Sequence, residues 1–107
     1  ILHNYKKIID SIQQQSPSTK IYIQSILPTN NNYKDFKNHQ NKKEHILFVN
    51  TELKKLCADK KITYVNLYDA FLDEEGKLNP KYTNDGLHLT GEGYLKWKEV
   101  LLNNKFL

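Results

Sequence analysis

Apolar residues recur at helical spacing through the first fifteen positions, with Ile1, Tyr5, Ile8, Ile9 and Ile12 on one side. This predicts a helix over residues 1–15, broken by Ser16-Pro17-Ser18. The pattern then changes. "KIYIQSILP" (20–28) is a short β-branched and aromatic run ended by Pro28, as expected of a buried strand. Residues 29–44 are polar and rich in asparagine, predicting a loop with a helical turn around Tyr33 to Phe36. Helical spacing returns over 44–59, where Ile46, Val49, Leu53, Leu56 and Cys57 share a face. "ITYVNLY" (62–68) predicts a second strand. Residues 69–86 form a connection, with one helical turn at its start and a turn at Glu75-Gly76. A last helix is predicted over 91–104, carrying Tyr94, Trp97, Leu101 and Leu102.

Strands joined through a crossover helix run parallel, and the crossover is right-handed. Parallel strands this apolar need cover on both faces and neighbours at their edges, and two of them alone make a poor core. The expected fold class is therefore α/β. Residues 1–107 are expected to form one partial domain, the C-terminal half of a doubly wound, flavodoxin-like three-layer sandwich. A chain that opens on Ile1-Leu2, already inside an apolar pattern, is expected to be cut from a longer one. Its first strand should show an unpaired edge and its first helix a partly uncovered apolar face, surfaces that favour self-association.

Composition narrows the function classes. The 107 residues carry a net charge of +4, with sixteen lysines and no arginine. Bidentate readout of phosphate or guanine favours arginine forks, so a nucleic-acid partner is not expected. The lysine pairs (6–7, 42–43, 54–55, 60–61) fall mainly on polar helix sides. No apolar window is long enough to span a membrane, and no signal-peptide pattern is visible. A single cysteine, Cys57, excludes an internal disulfide and sits on an apolar helix face, as an inert buried thiol would. His39 and His45 flank a lysine-rich loop and His3 stands alone, so no metal is expected.

The chemistry concentrates in "NDGLHLTGEGY" (84–94). Reactive groups of open α/β sheets collect beyond the carboxyl ends of the strands, where this loop falls. A carboxylate bonded to one imidazole nitrogen fixes the tautomer and leaves the other nitrogen to accept a proton. Asp85 and His88 lie three residues apart and could form such a pair. Gly86 permits a backbone angle other residues resist, Leu87 and Leu89 can point inward, and Thr90 is placed to cap the last helix.

"DGLHLTGEGY" resembles the final motif of the SGNH hydrolases, also called the GDSL lipase and esterase family. The strand ending "ILP", the helix with "NTELKKLC", "ITYVNLYDAF" and "GKLNPKYTNDGLHLTGEGYLKWKEVL" resemble that family's C-terminal half in the same order, over essentially the whole chain. The resemblance implies a Ser-His-Asp triad in which Asp85 orients His88, and His88 is general base and acid. It implies a small acyl-ester substrate, with short acyl groups on a carbohydrate (such as an acetylated one) or on a small lipid, and no cofactor. One departure is large. The family's nucleophile sits in a Gly-Asp-Ser motif, yet glycine occurs here only at 76, 86, 91 and 93, and none neighbours Ser11, Ser16, Ser18 or Ser25. The nucleophile is expected upstream, and this chain alone is expected to be inactive. The competing expectation is a non-catalytic α/β module that binds a ligand or partner. Ser25 at a strand end reads as core, the run Asn30-Asn31-Asn32 as a solvated loop, and Tyr94 and Trp97 as helix-to-sheet packing. Tyr33 and Phe36 are the better candidates for substrate contact.

Overall fold

The structure is a computed structural model describing residues 2–33 and 42–106. The elements run α1 (Leu2–Gln15), β1 (Tyr22–Gln24), α2 (Lys43–Lys60), β2 (Thr63–Val65) and α3 (Gly91–Asn103). Short 3-10 turns at Asp69–Phe71 and Pro80–Tyr82 punctuate the connection before α3. The first of these was expected from the sequence; the second was not. Phe36, His39 and most of the turn expected at 33–36 lie outside the described residues.

β1 and β2 pair in parallel, with Tyr22 opposite Thr63, Ile23 opposite Tyr64 and Gln24 opposite Val65. Side chains alternate across this sheet and divide the core in two. Ile23 joins Ile9 of α1 and Val49, Leu53 and Cys57 of α2 in one buried cluster, with Tyr64 packed against it. Val65, Leu67, Phe71 and Leu78 form the other cluster, covered by Trp97, Val100 and Leu101 of α3. Helices α1 and α2 thus cover one face of the sheet and α3 the other, the α/β layering the sequence predicts.

The strands are shorter than their apolar runs, and the hydrogen bonds explain why. Ser25 N still donates to Val65 O at 2.9 Å. Beyond it, the Ser25 hydroxyl accepts from Leu67 N and Tyr68 N, both at 2.9 Å. The Asn50 side chain accepts from Ile26 N at 2.8 Å and donates to Ile26 O at 3.0 Å, as a neighbouring strand would. Asn50 is only 7% exposed, a polar position inside the otherwise apolar stripe of α2. Side chains thus replace the ladder just past Gln24.

Ile21 O and Ser25 N both bond to β2, through Thr63 N and Val65 O. Period-two alternation therefore turns the peptide groups of Tyr22, Gln24 and Ile26 to the opposite edge, where no strand lies among the described residues. Among the described residues, Asn50 covers Ile26 there. The stripe of α1 also differs from the expected one. Ile9 is buried, but Ile8 is 57% exposed, because Leu2, Tyr5 and Ile9 are the side chains that reach the α2-facing cluster. On α2, Phe48 is likewise exposed at 59%.

Candidate active site

Three connections converge beyond the carboxyl ends of β1 and β2. Leu78 N donates to Thr29 O at 3.0 Å, and Asn30 N donates to Gly86 O at 2.9 Å. The Asn30 side chain donates to Leu78 O at 2.9 Å and accepts from Asn32 N at 2.9 Å. Asn30 is therefore a buried clamp, 1% exposed, and not the solvated loop residue its asparagine-rich surroundings suggest. A buried amide with its groups satisfied holds these loops at fixed distances.

On this platform residues 83–90 form a tight turn. Gly86 adopts φ +84°, and a Cβ there would lie 2.4 Å from Asn30 O and 3.0 Å from Tyr33 Cδ1. Glycine is required both for its angle and for this close approach. Asp85 Oδ1 accepts from Leu87 N at 2.8 Å and His88 N at 2.7 Å, and Oδ2 lies 2.8 Å from His88 Nδ1. The two residues singled out in the sequence are thus in direct contact. Thr90 caps α3 as expected, its hydroxyl accepting from Gly93 N at 3.3 Å. Leu89 packs into the α3-side cluster and Leu87 is half-buried.

The electrostatics follow from these bonds. The His88 ring, then the His88 amide, holds the Asp85 carboxyl down at about 2, against a smaller opposing effect of desolvation. Asp85 is therefore ionised at neutral pH and can only accept hydrogen bonds. Nδ1 of His88 must carry the proton between them, so in the neutral ring Nε2 is the basic nitrogen. A depressed folded-state value means that the carboxylate stabilises the loop fully above the unfolded value near 3.8. That stabilisation is lost as pH falls through about 2. The imidazole is 65% exposed and the carboxylate 23%, so the carboxylate is sheltered while the ring stays accessible.

Other candidates fall elsewhere. Ser25 is buried and occupied as an acceptor, in keeping with a core role. Cys57 is buried, which pushes its thiol up. Tyr94 does not pack on the sheet: it is 59% exposed and stacks on Trp97 at 6.1 Å, and of the pair only Trp97 reaches the core. Trp97 Nε1 also donates to Gln24 Oε1 at 2.6 Å. Tyr33 lies against Gly86, beside the Asp85–His88 turn. A cavity of about 490 Å³ at the same end of the sheet is lined by Thr29, Asn31, Lys43, His45, Tyr68 and Lys77, and includes neither Asp85 nor His88. Among the described residues no group of three or more His, Cys, Asp or Glu could hold a metal ion. No described helix is long and apolar enough to cross a membrane.

Sequence reasoning missed Thr83, which is 1% exposed at the centre of the turn. Its hydroxyl donates to His88 O at 2.7 Å and accepts from Gly86 N at 2.9 Å and Asp85 N at 3.3 Å. A threonine two residues before an aspartate in a turn is the available signal, since such hydroxyls bond nearby backbone.

A two-sided α/β layer with a carboxylate-oriented imidazole at the mouth of its parallel strands is a frame shared by hydrolases. The chain belongs to the GDSL-like Lipase/Acylhydrolase family, whose sequence profile it matches over residues 1–96. Among solved structures it is similar to a candidate platelet activating factor from Streptococcus pneumonia, with 31% identity and a TM-score of 0.87 over 96% of this chain and 49% of that one. It is also similar to a GDSL-like lipase from Bacteroides thetaiotaomicron, with 26% identity and a TM-score of 0.73 over 100% of this chain and 54% of that one. A candidate acylhydrolase from Bacteroides fragilis shares the fold at 23% identity, with a TM-score of 0.73 over 97% of this chain and 51% of that one. The chain spans about half the length of these solved chains. A comparison with curated proteins finds no match.

Proposed function

We propose that this chain supplies the histidine and aspartate of a Ser-His-Asp triad in an acyl-ester hydrolase, with the serine lying outside residues 1–107. The observation that carries the proposal is the 2.8 Å contact of Asp85 Oδ2 with His88 Nδ1 beyond the carboxyl ends of the strands. His88 Nε2 takes the proton of the serine hydroxyl as its oxygen adds to the ester carbonyl. The imidazolium returns that proton to the departing alcohol, leaving an acyl-enzyme. The neutral ring then deprotonates water, which adds to the acyl carbon, and the proton goes back to the serine as the acid leaves. Asp85 holds the ring and stabilises its transient charge throughout. An ester substrate agrees with the lipase and acylhydrolase descriptions of the similar solved proteins. A short acyl group on a carbohydrate suits the polar loop after β1, with Tyr33 beside it.

The edge of β1 that meets no strand among the described residues supports a partial domain. Helices α1 and α2 share one face, so a strand joined to β1 by a right-handed crossover through α1 falls on the side away from β2. That is where Tyr22 and Gln24 point their peptide groups, and the exposed Ile8 and Phe48 lie on the helices of that half of the core. Left bare, the same edge favours self-association.

The test is labelling of the full-length protein with a fluorophosphonate, which phosphonylates activated serines. One labelled serine outside residues 1–107, with loss of aryl-acetate hydrolysis, is expected. Labelling of Ser11, Ser16, Ser18 or Ser25, or no labelling at all, contradicts the triad. The last outcome favours a non-catalytic binding module.

A further inference from the structure

We propose that Thr83 is a positioning residue for the Asp85–His88 pair, setting the distance between carboxylate and imidazole through a single buried hydroxyl. Its catalytic consequence rests on the triad assignment above; its geometric part does not. A hydroxyl has one proton to give and two lone pairs to fill. At Thr83 the proton goes to His88 O at 2.7 Å, and the lone pairs take Gly86 N at 2.9 Å and Asp85 N at 3.3 Å. Asp85 Oδ1, at 3.4 Å, is a weaker competitor for the same proton. One oxygen thus grips the backbone of the residue that bears the carboxylate and of the residue that bears the ring. A backbone bridge between Thr83 and Leu89 closes the turn outside this grip. Thr83 is 1% exposed, so water cannot replace the hydroxyl if it is removed.

The acidic side chain completes the arrangement. With its own amide held by Thr83, Asp85 can aim Oδ1 at the amides of Leu87 and His88 and leave Oδ2 to the ring. Without the hydroxyl, His88 O and two amides lose their partner and the turn relaxes. The contact at risk is then the one between carboxylate and imidazole. A misplacement of about 1 Å in such a constellation costs on the order of 10²-fold in rate. Serine keeps the hydroxyl and valine keeps only the shape.

The experiment compares Thr83→Ser, Thr83→Val and His88→Ala in the full-length protein. Two readouts are taken: aryl-acetate kinetics, and the titration of the Asp85 carboxyl by carbon NMR. For Thr83→Val, kcat is expected to fall about 10- to 100-fold with KM within about twofold. In the same variant the Asp85 midpoint should rise from about 2 towards the ordinary carboxylate range. Thr83→Ser should restore both. A Thr83→Val protein that keeps the parent Asp85 midpoint and kcat overturns the proposal, as does equal loss in the serine variant. If the valine variant does not fold, Thr83→Cys carries the same two expectations and the same overturning result. Failure of the triad assignment looks different: His88→Ala keeps turnover while Thr83→Val still moves the Asp85 titration.

Discussion

In the full-length protein, His88→Ala is expected to lower kcat for a short-chain aryl acetate by about 10⁴-fold or more, with little change in KM. In the proposed triad the imidazole moves a proton in both half-reactions, and no second histidine lies beside Asp85 among the described residues. The ring is 65% exposed, so its removal should cost only the bond to Asp85, on the order of 1 kcal/mol. Loss of rate without loss of fold is the signature. Asp85→Asn separates orientation from charge in the same assay. An asparagine oxygen could still accept from the Leu87 and His88 amides, preserving the turn. Its NH2 would then face Nδ1 and favour the opposite tautomer, with the proton on Nε2. A loss of comparable size is expected, as in triads where this exchange has been made. Turnover that survives His88→Ala removes the assigned base.

Gly86→Ala should be the most damaging small substitution for stability. The residue sits at φ +84°, where an L side chain is strained by about 1–3 kcal/mol. Its new Cβ would also stand 2.4 Å from the Asn30 carbonyl, a backbone atom that cannot swing aside. The loops must part, and the Asn30 N to Gly86 O bond goes with them. A loss of about 3 kcal/mol or more is expected, read as a lower denaturant midpoint at unchanged slope. Gly76→Ala is the control. It has a similar φ of +77°, but the nearest atom is the flexible Lys43 Nζ, so only the conformational cost should appear. Equal destabilisation by the two substitutions would show that the Asn30 contact does not constrain the turn.

The helices were legible because burial repeats at the helical period. The stripe of Ile46, Val49, Leu53 and Cys57 placed α2 to within a residue at each end. The Asp85–His88 contact was legible for a related reason: both partners lie within one turn, so no long-range packing had to be known. Apolar runs overextend the strands because they do not show where side chains take over the ladder. Asn50 and Ser25 do so here, and neither looks unusual in the sequence. Helical spacing puts Ile8 on the buried face because it cannot tell which edge of a stripe a partner reaches. Asn30 was invisible for the opposite reason. Its value lies in partners 48 and 56 positions away, Leu78 and Gly86, and three consecutive asparagines look alike until one is buried.

The central claim is that His88 serves a serine that this stretch does not contain. A crystal structure of the full-length protein carrying a phosphonate on its reactive serine tests it most directly. The predicted result is His88 Nε2 within about 2.6–3.2 Å of that serine's Oγ, with Asp85 still on Nδ1. A modified serine far from the imidazole, or a ring turned away from the carboxyl ends of β1 and β2, would contradict it.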